Sequence, residues 1–107
     1  MVLGSEYNVI ATIDVEMDLD EFVLYLLMQQ KNEQAANNLI DDYLETIEEL
    51  RLVAGSLKYD DDPKCAALGY HRIHLKRHQY FLLYRVEENN AIVDRMFHDL
   101  QDYRNRI

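Results

Sequence analysis

The chain has 107 residues, 49% of them hydrophobic, and its 20 acids against 11 Lys and Arg give a formal net charge of −9. That length suits one domain, residues 1–107, burying roughly two-thirds of its unfolded surface without staples. Cys65 stands alone, which excludes an internal disulfide and reads as a packed small apolar side chain in a reducing compartment. No apolar stretch approaches the ~20 residues of a membrane span, and Met1-Val2-Leu3-Gly4-Ser5 lacks the blocks of a secretion signal, so the chain reads as soluble and cytoplasmic.

From Tyr7 to Val15, Val9, Ala11, Ile13 and Val15 alternate with Asn8, Ile10, Thr12 and Asp14, which predicts a half-buried strand. Asp18 followed by Glu21 has the form of a capping box, and Leu19, Phe22, Val23, Leu26 and Leu27 recur with helical spacing, predicting a helix over 19–30. Its segment Phe22 to Met28 is apolar on nearly every side. A helix sandwiched in the core explains that; the alternative is that Leu24, Tyr25 and Met28 form an exposed patch for a partner. After Lys31-Asn32 a second helix is predicted over 33–54, with Ala36, Leu39, Ile40, Tyr43, Leu44, Ile47 and Leu50 as its apolar stripe. Asp41, Asp42, Glu45, Glu48 and Glu49 fall elsewhere on the cylinder, and Glu45, Glu48 and Glu49 read as a solvated acidic face or one that attracts a basic partner segment. Gly55 reads as the C-cap and 57–68 as the longest loop.

After Gly69 the period becomes two. Strands are predicted over Tyr70–Lys76, Gln79–Val86 and Ala91–His98, with Glu87-Glu88-Asn89-Asn90 as a hairpin turn. The fold class is α+β in the order β-α-α-β-β-β, two N-terminal helices packed on one face of a mostly antiparallel sheet of three or four strands, the other face open. Residues 1–62 hold 15 acids and 3 bases, whereas 63–107 hold 5 acids and 8 bases, so charge is split along the chain. On the second predicted strand Arg72, His74 and Lys76 share one side and Ile73 and Leu75 the other, which places a basic row on the open face. Such a row is either a solvated strand face or a contact for a polyanion. Cys65, His71, His74 and His78 invite a metal, but His71 and His74 point to opposite faces of a strand, so neither a metal nor a cofactor is expected.

The element order, the phrase Gly69-Tyr70-His71-Arg72-Ile73-His74-Leu75, the segment Tyr80-Phe81-Leu82-Leu83-Tyr84-Arg85-Val86 and the ending Arg95-Met96-Phe97-His98-Asp99-Leu100-Gln101-Asp102-Tyr103 resemble the RelE/ParE superfamily, the toxins of type II toxin–antitoxin (plasmid stabilisation) systems. The likeness spans Tyr7 to Tyr103 and lies in the order of patterns. It implies a cognate antitoxin as partner, in a hetero-oligomer or beside a homodimer. It also implies one of two activities: RelE-like members cut mRNA in the ribosome, and ParE-like members inhibit DNA gyrase without being nucleases.

The nuclease activity needs a proton acceptor, a proton donor and cations around the phosphate. The resemblance implies His98 and Arg72 as catalytic residues, with His74, Lys76, Arg77, Tyr103 and Arg104 holding RNA or its phosphates. Phe81 and Gln101 stand where nuclease relatives carry arginine, and neither can supply arginine's planar fork. A gyrase inhibitor tolerates both departures, as does a third reading, a non-toxic interaction domain on the same fold.

Overall fold

The computed structural model describes residues 6–101. The first strand, β1 (Asn8–Ala11), stops sooner than the alternation predicts, because Thr12 leaves it. The Thr12 Oγ1 accepts from the Val15 backbone N–H and so caps α1 (Ile13–Leu24). The Asp18–Glu21 pair expected to open this helix lies inside it instead. Asp18 faces the sheet, where its carboxylate accepts from the Met96 backbone N–H at 2.9 Å and from Arg95 Nε at 2.7 Å.

A π-helical turn (Tyr25–Gln29) follows α1, and α2 (Glu33–Val53) starts as expected at Asn32, whose side chain accepts from the Ala35 N–H. Gly55, in a 3₁₀ turn (Ala54–Ser56), is not a left-handed cap. A Cβ there would run into the Tyr7 hydroxyl, so its lack of a side chain lets the N-terminal tyrosine pack on the end of the helical layer. The stretch read as a long loop carries a third helix, α3 (Pro63–Ala67), capped by Asp62 with Pro63 in its first turn. Gly69 closes it at φ +89°, a conformation glycine adopts without strain.

Three strands follow: β2 (His71–His74), β3 (Tyr80–Glu87) and β4 (Asn90–His98). The sheet order is β1-β4-β3-β2. The last three strands form the expected antiparallel meander, while β1 runs parallel to β4, so the sheet is mixed. The two long helices cover one face, packing Val15, Leu39, Tyr43 and Leu50 against Leu82, Tyr84, Val93 and Met96.

The other face is not open as expected. Cys65 from α3 and Tyr70 pack there on Phe81, Leu83 and Phe97, forming a second, smaller core. Each fully buried Phe contributes about 1.5–3 kcal/mol. The sequence concealed this layer because a helix of five residues has no periodicity to read. No described helix is long and apolar enough to cross a membrane.

Candidate functional site

Alternation along β2 sends His71 toward the helices and Arg72 toward the smaller core. The His71 ring stacks between Tyr59 and Tyr84, at 4.4 and 5.1 Å. The Arg72 guanidinium lies 4.0 Å over the Phe81 ring, so the phenylalanine that stands in place of arginine serves as a cation–π platform. The segment before α3 supplies the partner: the buried Asp60 carboxylate accepts from Arg72 Nε at 2.6 Å and from its NH2 at 3.4 Å. A second hydrogen bond, from the Asp62 N–H, fixes that carboxylate. The guanidinium fork, expected from the sequence to hold a phosphate, thus holds a carboxylate of its own chain.

The basic row expected along this strand does not form. The strand ends at His74, and Lys76 and Arg77 belong to a turn bent toward α2. The cause is Asp42, a carboxylate wholly buried on α2 although the sequence placed it off the apolar stripe of that helix. It accepts from the backbone N–H groups of Lys76 (3.1 Å) and Arg77 (2.8 Å) and lies 2.7 Å from His78 Nδ1. Burial alone would raise the Asp42 carboxyl, but these hydrogen bonds, led by His78, bring it below the ordinary value. The two cationic side chains then meet helix acids, Lys76 at 3.7 Å from Glu49 and Arg77 at 2.8 Å from Glu45. His74 remains on the Arg72 face, exposed, with Nδ1 3.7 Å from Asp99.

His98 lies on the opposite side of the sheet from Arg72. In the register of β3 with β4, Phe81 pairs with Phe97 in the smaller core, and Tyr80 pairs with His98 on the helical side. The His98 ring meets Tyr80 edge-on at 5.0 Å, and Tyr80 meets Phe22 of α1 at 4.6 Å. His98 Nδ1 accepts from the Leu100 N–H at 3.1 Å, which puts the proton of the neutral ring on Nε2. Gln101, the other departure, accepts from the His98 N–H at 2.8 Å and so caps the edge of β4 where β1 no longer pairs with it. The two residues expected to act together on one phosphate project from opposite faces of the sheet. Tyr103 and Arg104 lie outside the described residues.

Leu24, Tyr25 and Met28 are all exposed, as the partner reading requires. Beside them a recess of 450 Å³ opens between the π turn and the end of β4, lined by Phe22, Tyr25, Tyr80, His98, Leu100 and Gln101. The alternation of Tyr80 and His98 hinted at a shared face, but only the π turn brings Tyr25 over it. Among the described residues no group of three or more His, Cys, Asp or Glu is placed to hold a metal ion.

No protein-family model and no curated protein matches the chain. Among solved structures, a chain of the chromosomal ParDE TA system from P. aeruginosa superposes with a TM-score of 0.69 at 18% identity, covering 88% of this chain and 97% of that one. A chain of the toxin–antitoxin complex RelBE2 from Mycobacterium tuberculosis superposes with a TM-score of 0.56 at 19% identity, covering 87% and 91%. Both likenesses cover nearly the whole of each chain, and with the mixed sheet and its helical cover they establish that this chain has the RelE/ParE fold.

Proposed function

We propose that this chain is the toxin of a type II toxin–antitoxin pair, that it arrests growth without cutting RNA, and that a cognate antitoxin neutralises it. The two neighbours named above come from a ParDE TA system and from a RelBE2 toxin–antitoxin complex, which supports the toxin role. The observation that carries the non-nucleolytic half is the partition of Arg72 and His98 onto opposite faces, with the Arg72 fork already filled by Asp60. Phosphoryl chemistry needs its proton carrier and its cations around one phosphate. Acids also outnumber bases in the chain, which opposes any general affinity for RNA. By the resemblance to ParE-like members, which inhibit gyrase without being nucleases, the target of this reading is DNA gyrase.

Induced expression in a bacterium, followed by growth, by mRNA mapping and by supercoiling with purified gyrase, tests this reading. The expected result is arrest with intact mRNA and inhibited supercoiling, relieved by co-expressing the neighbouring antitoxin gene. Arg72→Lys and His98→Gln should arrest growth as well as the parent chain does. Cleavage of mRNA in the ribosome, lost in either variant, would restore the nuclease. An absence of any growth effect would leave an interaction domain.

A further inference from the structure

The recess beside His98 lacks catalytic company but has the composition of a protein anchor point. Aromatic rings form its walls, and its 450 Å³ falls within the roughly 300–1,000 Å³ of ligand-binding recesses. Two of its lining side chains are large, apolar and exposed, Tyr25 at 54% and Leu100 at 86%, and Leu24 and Met28, on the same helical segment as Tyr25, are exposed as well. Aromatic and Met side chains concentrate at the centres of protein interfaces, and an apolar surface of this kind marks a contact site.

Charge selects the occupant. Among the described residues, Arg72, Lys76, Arg77, Arg85 and Arg95 all pair with carboxylates. On α1, by contrast, Asp14, Glu16, Asp20 and Glu21 make no salt bridge with another described residue, though Asp14 and Glu21 lie in the field of Arg95, and Glu21 lines the recess itself. The uncompensated negative charge of the described surface therefore gathers along the helix that forms one wall. Nucleic acid is repelled by such a surface. A second copy would bring α1 against α1, or against the equally acidic α2, and like charges facing one another oppose that association.

We propose that this recess anchors a cationic segment of a different protein, which buries one large apolar side chain between Tyr25 and Tyr80 and sets its Lys or Arg residues against the carboxylates of α1. The inference rests on the toxin reading only for that protein's identity, the antitoxin; the chemistry of the contact stands on the surface itself.

The test is a titration of the full chain, observed by NMR, with a short synthetic peptide of Lys and Ala bearing one central Trp. Shifts should concentrate at Tyr25, Tyr80, His98 and Leu100. Affinity should fall at least ~10-fold when the Trp of the peptide becomes Ala, or when Tyr25→Ala is introduced, as for an interface hot spot. The double variant Asp20→Asn, Glu21→Gln should weaken binding and flatten its salt dependence, whereas Asp41→Asn on α2 should change neither. Equal affinity for the Ala peptide, or shifts spread evenly over the acidic surface, would reduce the effect to general electrostatics and overturn the proposal. So would contacts from residues 102–107 inside the recess of the free chain, or a homodimer dissolved by Tyr25→Ala. Peptide binding without growth arrest would remove the toxin reading and keep this one; arrest without peptide binding would do the reverse.

Discussion

Asp42 shows how far one side chain can decide a surface. Its buried carboxylate receives two backbone N–H groups and pairs with the His78 ring, so it holds the turn that carries Lys76 and Arg77 against α2. Asp42→Ala would leave those donors unpaired in a dry site and should cost about 2–4 kcal/mol in urea denaturation. The pH dependence has a definite sign. The native carboxyl is depressed below its unfolded value, so its contribution is fully present above ~4 and is lost as pH falls through the native value. The stability gap between the parent chain and Asp42→Asn should be flat from neutrality to mild acid and close below that. A gap that widened in acid would contradict the arrangement. In sequence Asp42 is one acid among several on a helix, and only its position one turn from Leu39 and Thr46 hinted at burial. Arg72 was legible as a residue poised for an anion, but not that the anion is Asp60, twelve residues away through an irregular segment.

At the scale of elements, the hairpin between β3 and β4 turns through Glu88-Asn89, and Glu88 takes a φ of +54°. A two-residue hairpin turn demands positive φ at its first central position, which glycine supplies freely and glutamate does not. Glu88→Gly should therefore stabilise the domain by about 0.4–1 kcal/mol, read as a raised denaturation midpoint with an unchanged m-value. A loss of stability would show that the Glu88 side chain does more than tolerate the turn. The same strand pair positions one of the expected site residues, since its register assigns Phe97 to one face and His98 to the other. That assignment was available from period-two alternation. Arg72 on one strand and His98 on another, however, can be placed on the same or opposite sides only once the pairing register is known.

For the molecule as a whole, the second face of the sheet is sealed by the segment from Leu57 to Tyr70, and Cys65 lies at the centre of that seal. Burial, helped by Asp62, pushes its thiol up to about 11. A disulfide reagent near pH 8 should therefore modify native Cys65 at least ~100-fold more slowly than a free thiol, the rate reporting opening of this segment. A raised thiol value also means that its contribution to stability is complete below ~8.5, the ordinary value, and is lost as pH rises through about 11. Rapid labelling in native buffer would show the face to be open after all. The charge split of the sequence takes on a different meaning at this scale. The basic half does not form a patch, because the fold brings acids from the helices and from the Asp60 segment onto its cations, and among the described residues the acids left without a salt bridge include four on α1, Asp14, Glu16, Asp20 and Glu21.

The sequence by itself determined the class and order of the fold. Period two and period 3.6 are local properties, so strands, long helices, the hairpin and the helical cover could be read residue by residue, whereas the segment from Phe22 to Met28 read equally as a buried helix, and only the fold shows Leu24, Tyr25 and Met28 to be exposed. Tertiary structure alone decided the site. Which cation meets which carboxylate, which faces Arg72 and His98 occupy, and where a recess opens depend on register, on a five-residue helix and on a buried aspartate, all of them contacts between segments distant along the chain. Local pattern carries no record of such contacts, because the physics that fixes them is packing between elements rather than propensity within one.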